Sequence, residues 1–107
     1  METLAVLALI EAKPGKEEEL EALLKSALPM AQSEAATVSW YALKLGATSF
    51  GIFDTFADRD GRAAHLAGAV AQALFARADE LFDRPPAIAE PEILAVKGAG
   101  SGGGAGP

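Results

Sequence analysis

Residues 38–56, VSWYALKLGATSFGIFDTF, contain the pattern that decides the fold. Aromatic and β-branched side chains, which favour strands, recur through residues 38–45 and again through residues 50–56. The segment between them, GAT at residues 46–48, has the composition of a short turn. Two strand-like runs separated by about three residues predict an antiparallel β-hairpin.

The chain before this hairpin predicts one strand and one helix. Residues 4–10 form a continuous apolar run, and its length suits a strand that is buried on both faces. Three glutamates then precede leucines and alanines spaced three and four apart, which predicts an amphipathic helix over residues 16–33. Pro29 falls inside this helix, so we expect a kink or a shorter helix there.

The chain after the hairpin predicts a second helix and a last strand. Asp58 is suited to be the N-cap of this helix, and the two prolines at residues 85–86 end it. Gly61 and Gly68 weaken its first half, so an irregular or broken start is expected. The last strand is expected over residues 93–96, which are apolar.

The order strand, helix, strand, strand, helix, strand predicts the fold class. It is typical of an α+β, ferredoxin-like domain with a four-stranded antiparallel sheet and both helices on one face. Residues 1–97 are predicted to form this single domain. Residues 98–107, of which six are glycine, are predicted to be a flexible tail.

Both faces of the predicted sheet are apolar, although helices would cover only one of them. Every residue from 4 to 10 is apolar, and the neighbours Trp40 and Tyr41 point to opposite faces of their strand. A bare apolar face would exceed the roughly few hundred Å² that a monomer normally exposes. We therefore expect a homodimer through the sheet face, with a different partner as the alternative.

Composition excludes several kinds of chemistry. The 107 residues carry a net charge of −6 and include no cysteine, which excludes disulfides, thiolate zinc sites and thiol nucleophiles. A single histidine excludes a multi-histidine metal site within one chain, and neither metal nor cofactor is expected. The acidic balance argues against nucleic acid and anionic membranes as partners. Signal-peptide and membrane-helix patterns are missing, so a cytoplasmic location is expected.

His65 is the one side chain whose ordinary pKa lies near neutral pH. On a straight helix it lies nearly opposite the apolar stripe of Leu66, Val70 and Leu74, which would leave it solvated. If the irregularity at Gly68 turns this part of the helix toward the sheet, His65 becomes a candidate proton acceptor or hydrogen-bond partner for a substrate.

Asp54 lies among apolar residues of the second hairpin strand. If it is buried, it must be paired, hydrogen-bonded or protonated, and Arg59 or Arg62 at the start of the next helix is the expected partner. Its carboxylate either ties the strand to the helix or orients His65 in a catalytic site.

Three segments resemble the antibiotic biosynthesis monooxygenase-like family. The sequence AKPGKEEEL at residues 12–20 resembles the junction between the first strand and helix of that family, and WYAL at residues 40–43 resembles its second strand. FDTF at residues 53–56, followed by HL at residues 65–66, resembles its third strand and next helix. The resemblance covers about residues 4–97 and rests on the order and spacing of these segments.

The resemblance implies a dimeric α+β barrel. Members of the family oxidise quinols or polycyclic phenols with O2 and use neither metal nor flavin, while some relatives bind and degrade haem. In the cofactor-free reaction the substrate supplies the electrons, and the protein supplies a dry pocket, a base and orienting groups.

The resemblance also implies roles for five residues, on the hypothesis of a small aromatic, phenolic or quinol substrate. His65 handles the proton, Asp54 orients it, and Arg62 neutralises a phenolate. Trp40 and Tyr41 shape the pocket, unless they serve only packing. The alternative is a non-catalytic dimeric barrel that binds a small molecule or has a structural role. The absence of asparagine favours this alternative, because well-studied members use an asparagine in the site.

Overall fold

The computed structural model describes residues 2–98. The predicted flexible tail therefore lies outside the described residues, apart from Gly98. In chain order the elements are β1 (Leu4–Glu11), α1 (Glu17–Ser26), α2 (Leu28–Gln32), β2 (Thr37–Lys44), β3 (Ser49–Phe56), α3 (Arg59–Leu66), α4 (Ala69–Ala76), α5 (Ala78–Leu81) and β4 (Ala87–Ala89).

The four strands form one antiparallel sheet in the order β2-β3-β1-β4. The two central strands, β1 and β3, pair along their full length, with Leu4 opposite Phe56. β2 and β3 form the predicted hairpin, in which Tyr41 lies opposite Phe53. Together with the helices, this sheet confirms the predicted α+β, ferredoxin-like fold.

Both predicted helices are interrupted where a proline or glycine falls. The first divides at Ala27 into α1 and α2, and Pro29 lies in the first turn of α2, where its missing N–H breaks no helical hydrogen bond. The second divides at Gly68 into α3 and α4, as the weak first half predicted, and again at Arg77 into α4 and α5, where neither proline nor glycine falls. Asp58 caps α3 by accepting a 2.8 Å hydrogen bond from the N–H of Gly61. Within the described residues, no helix has the length and apolar character needed to cross a bilayer.

The last strand is not where the sequence predicted it. β4 pairs at residues 87–89 with residues 7–9 of β1, whereas the prediction placed it at residues 93–96. Pro91 follows β4 and has no N–H to donate, so the regular ladder ends there. An isolated bridge between Glu92 and Leu4 and a hydrogen bond from the N–H of Ile93 to the carbonyl of Thr3 continue the contact, which therefore ends at the first residue of the predicted strand. Leu94, the centre of the predicted strand, is 95% exposed.

The helices pack on one face of the sheet, and the core lies between the two layers. Alternate residues of β1 and β3 point into this layer, because side chains alternate along a strand. The main buried side chains are Val6, Ile10, Phe50, Ile52 and Phe56 from the sheet, and Leu20, Leu24, Val70, Leu74, Leu81 and Phe82 from the helices and the residue after them.

The opposite face, which we call the outer sheet face, is also apolar. The register places Leu7, Phe53 and Tyr41 in one row across three strands, and the two aromatic rings are 6.4 Å apart. Leu9 and Leu43 form the next row, on either side of a glycine. Tyr41, Leu9 and Leu43 are between 36% and 54% exposed. The prediction that both faces of the sheet are apolar is confirmed.

Candidate functional site

A small cavity lies between the helix-facing side of the sheet and the helices α3 and α4. Its volume is about 50 Å³, which accommodates a few water molecules or one end of a larger molecule. Asp54 and His65 line it, and every other lining side chain is apolar. Two of the apolar side chains, Phe75 and Ile88, are 49% and 45% exposed, so the cavity opens to solvent between α4 and β4.

Asp54 reaches this cavity from the middle of β3. It lies between Val6 of β1 and Trp40 of β2, on the side of the sheet that faces the helices. Its side chain is buried, and neither carboxylate oxygen has a well-aligned hydrogen-bond donor among the described residues. Because burial of an incompletely hydrogen-bonded carboxylate lowers stability, such a group is a candidate for function.

His65 is the side chain that contacts Asp54. Its Nε2 lies 2.7 Å from Oδ2 of Asp54, which is ion-pair distance, although the two groups are not aligned as a hydrogen bond. His65 is 7% exposed, and its ring packs on Phe56 with the centroids 5.1 Å apart. The helix breaks after α3, near Gly68, and the His65 side of α3 faces the sheet. The sequence allowed His65 to be either solvated or turned toward the sheet, and in the structure it is turned toward the sheet and buried.

Glu34, which the sequence analysis missed, holds the other side of the same ring. Its Oε1 lies 2.7 Å from Nδ1 of His65, and the hydroxyl of Thr37 donates to the same oxygen at 2.9 Å. Glu34 lies in the turn between α2 and β2, 31 residues from His65. No periodicity or motif in the sequence connects two residues at that separation.

Two carboxylates therefore flank one imidazole. Burial alone would lower the pKa of His65, but the contacts with Asp54 and Glu34 outweigh burial and raise the pKa above its ordinary value of 6.5. The ring is therefore mostly protonated at pH 6.5, where an ordinary histidine is half protonated. The carboxylates approach opposite edges of the ring, and across residues 2–98 no three ligating side chains converge as a metal site.

The arginine that was expected to pair with Asp54 does not contact it. Arg62 turns away, with its Nε 3.3 Å from the carboxylate of Glu90 and its Nη1 donating to the carbonyl of Ala5. Arg59 is exposed at the start of α3. The expected pairing is wrong because His65, about one turn beyond Arg62 on α3, lies against Asp54 instead.

The two aromatic residues predicted to shape the pocket also lie away from the cavity. Trp40 faces the helices, as Asp54 does, but it packs against the core and lines a separate groove beside α2. Tyr41 projects from the outer sheet face. Within its own chain, neither these two residues nor Arg62 lines the cavity.

This arrangement leaves one carboxylate at the cavity wall, that of Asp54, without aligned hydrogen-bond donors. Both nitrogens of His65 face carboxylates, so the ring offers no free nitrogen to a bound molecule. The oxygens of Asp54, in contrast, lack aligned donors. Asp54 is therefore the polar group of the cavity wall whose hydrogen-bonding capacity is unused, and its contact with His65 holds that carboxylate in place.

Among known proteins, the chain is similar to several solved structures. No protein-family profile and no curated protein matches it. Two distant structures share its fold: a proposed antibiotic biosynthesis monooxygenase from Nitrosomonas europaea and another from Chloroflexus aurantiacus. The first is 15% identical with a TM-score of 0.77, over 86% of this chain and 99% of that chain. The second is 17% identical with a TM-score of 0.70, over 90% of this chain and 97% of that chain.

A third structure is much more similar. The NE2512 protein of unknown function from Nitrosomonas europaea is 50% identical to this chain, with a TM-score of 0.89. The match covers 91% of this chain and 94% of that chain. The chain therefore belongs to the same family as the NE2512 protein.

Proposed function

We propose that this protein is a cofactor-independent monooxygenase that takes a proton from a small phenolic or quinol substrate and oxidises it with O2. Asp54 carries the proposal, because it is a buried carboxylate at the wall of an apolar cavity and its oxygens lack aligned hydrogen-bond donors. A carboxylate in this state gains a hydrogen bond when a hydroxyl group enters the cavity. The two distant structures that share this fold are named as proposed monooxygenases, which supports the proposal by analogy of fold.

Asp54, His65 and Glu34 have different roles in the proposed reaction. The substrate hydroxyl donates to Asp54, which takes the proton as general base. Asp54 is then neutral, and the positive charge of His65 attracts the phenolate that has formed. Glu34, on the far edge of the ring, keeps His65 protonated and oriented, as a carboxylate does for histidine in other active sites.

The phenolate supplies the electrons that reduce O2. In the simplest balance, one phenol and one O2 give one para-quinone and one water. One oxygen atom forms a new C=O bond on the ring, and the other leaves as water with two hydrogens of the substrate. The apolar walls of the cavity keep bulk water away from the phenolate while this occurs.

The substrate enters with its hydroxyl end first. The cavity is too small for a whole ring, since an apolar cavity that binds benzene measures about 150 Å³. A groove of about 370 Å³ adjoins the cavity and shares Phe75, Phe82 and Pro86 with its lining. The ring lies in that groove against Phe75, and the hydroxyl reaches toward Asp54.

Oxygen uptake with a set of quinols and polycyclic phenols, in metal-free buffer, tests this proposal. With an active substrate and labelled O2, one labelled oxygen atom is expected in the product. Asp54→Asn is expected to lower the rate by about 100-fold or more, because the general base is lost. Asp60→Asn, which changes an exposed aspartate of α3, is the matched control. Equal rates for Asp54→Asn and the unchanged protein would contradict the proposal.

The small volume of the cavity favours a second candidate, a dimeric barrel that binds a small molecule without converting it. This candidate predicts that phenols shift the NMR signal of His65 and consume no oxygen. Consumption of one O2 per substrate excludes it.

We also propose that two copies of the chain pair through the outer sheet face. Two rows of apolar side chains lie side by side there, and three of the five are exposed. A second copy presents the same rows, so a symmetric pair covers both faces at once.

A further inference from the structure

Two glycines beside His65 contact the same short segment, residues 34–36. A Cβ atom on Gly61 would lie 3.2 Å from the Cβ and 3.3 Å from the carbonyl oxygen of Ala36. A Cβ atom on Gly68 would lie 3.2 Å from Oε2 of Glu34. All three separations are tighter than ordinary van der Waals contact. The segment therefore lies so close to α3 and to the residue before α4 that a side chain at either glycine would require a shift of a few tenths of an ångström.

Lack of space for a side chain, rather than an unusual backbone conformation, explains why residues 61 and 68 are glycines. Among the described residues, positive φ angles occur at Gly15 and Gly98, and Gly61 and Gly68 are not among them. Gly68 has a φ of −92° and a ψ of −171°, an extended backbone that any residue adopts. A side chain at Gly68 would also come within 3.0 Å of the carbonyl oxygen of Ala64, which is backbone and cannot rotate away.

The close approach brings Glu34 to its position on the imidazole ring. The Glu34 side chain is 17% exposed, and its Oε2 is buried without a hydrogen-bond partner among residues 2–98. Its Oε1 contacts both Nδ1 of His65 and the hydroxyl of Thr37. Because an incompletely hydrogen-bonded carboxylate tends to move toward water, something must hold Glu34 inward.

We propose that Gly61 and Gly68 are positioning residues that seat segment 34–36 against α3 and so hold the carboxylate of Glu34 on Nδ1 of His65. The ring is then fixed with Nε2 toward Asp54. The catalytic meaning of this arrangement rests on the proposed function. The positioning itself is measurable without any substrate, so the two proposals fail separately.

His65 is the only histidine of the chain, so its ring gives a single set of NMR signals against pH. Gly68→Ala and Glu34→Gln are each expected to lower the pKa of His65 toward its ordinary value, because the carboxylate no longer contacts Nδ1. The double variant is expected to lower it no further than Glu34→Gln alone. Gly46→Ala, at a glycine with no atom within 4 Å of the added Cβ, and Glu18→Gln, at an exposed glutamate of α1, are the matched controls.

A purely structural role for Gly68 gives a different result. In that case Gly68→Ala lowers the free energy of unfolding but leaves the pKa of His65 unchanged, which overturns the proposal. An unchanged pKa in Glu34→Gln overturns it as well. If Gly68→Ala does not fold, the combination with Glu34→Ala restores the space at Oε2. Recovered folding in that pair supports the proposal. If the pair does not fold, Gly61→Ala, whose added Cβ meets Ala36, replaces it: a lowered pKa of His65 supports the proposal and an unchanged pKa overturns it.

Discussion

Nδ1 of His65 lies 2.7 Å from Oε1 of Glu34, although the two residues are 31 positions apart in the chain. Asp54 lies equally close on the other nitrogen, so one imidazolium is shared between two carboxylates. With His65 protonated, the three side chains carry one net negative charge. Since both nitrogens of His65 face carboxylates, Asp54 is the group that acts as acceptor in the proposed function.

The stability of the protein should depend on pH through His65. The pKa of His65 is raised in the folded state, so the folded protein binds its proton more tightly than the unfolded chain does. The resulting stabilisation is complete below about pH 6.5 and is lost as the pH rises through the folded-state pKa.

Urea unfolding of the unchanged protein and of His65→Gln, from about pH 6 to about pH 9, measures this effect. The difference in unfolding free energy between the two proteins should shrink as the pH rises. A difference that stays constant over this range would mean that the charge on His65 does not stabilise the fold.

The N-cap of α3 should contribute measurably to stability. Asp58→Ala removes the acceptor for the N–H of Gly61 and should lower the unfolding free energy by about 1 kcal/mol. Asp58→Asn keeps a suitable acceptor and should change it much less. Thermal unfolding of both variants tests this, and equal losses would show that the hydrogen bond is not the cause.

The core and the region after β4 should respond very differently to the same substitution. Leu20→Ala removes a buried side chain between α1 and the sheet and should cost about 2–5 kcal/mol. Leu94→Ala should change the unfolding free energy by less than about 0.5 kcal/mol, because Leu94 is exposed and outside any strand. A large loss for Leu94→Ala would support the strand that the sequence predicted there.

The outer sheet face should control whether two copies of the chain associate. Sedimentation equilibrium of the unchanged protein should give a mass about twice that of one chain. Leu43→Lys places a charge in one of the two apolar rows of that face and should shift the mass toward one chain. Leu28→Lys, at an exposed leucine of α2, should not shift it. A monomer in the unchanged protein would exclude pairing through this face.

The strand and helix pattern could be predicted from the sequence because it depends on local properties. Trp40 and Tyr41 point to opposite faces because neighbours in a strand always do, and a new helix begins just before Pro29 because proline fits the first turn of a helix and not its interior. The last strand could not be placed from its apolar residues. Its position depends on where the prolines bring the chain to the edge of β1, which is a tertiary property.

The candidate site could be predicted only in part. Asp54 stood out as a charge among apolar residues and His65 as the single histidine, and the structure brings them together. Glu34 looked like any other acidic residue, because its contact depends on the close approach at Gly61 and Gly68. From the sequence, those glycines predict only weak points of a helix, since a sequence does not show which segment packs against them.

The imidazolium between two carboxylates is tested most directly by a nitrogen NMR spectrum of His65 in the unchanged protein at pH 6.5. An ordinary histidine is half protonated at this pH. We predict that both ring nitrogens of His65 carry protons in most molecules, with Nδ1 facing Glu34 and Nε2 facing Asp54. A spectrum in which one nitrogen is unprotonated in half of the molecules or more would contradict this arrangement and, with it, the role of Asp54 as the open acceptor.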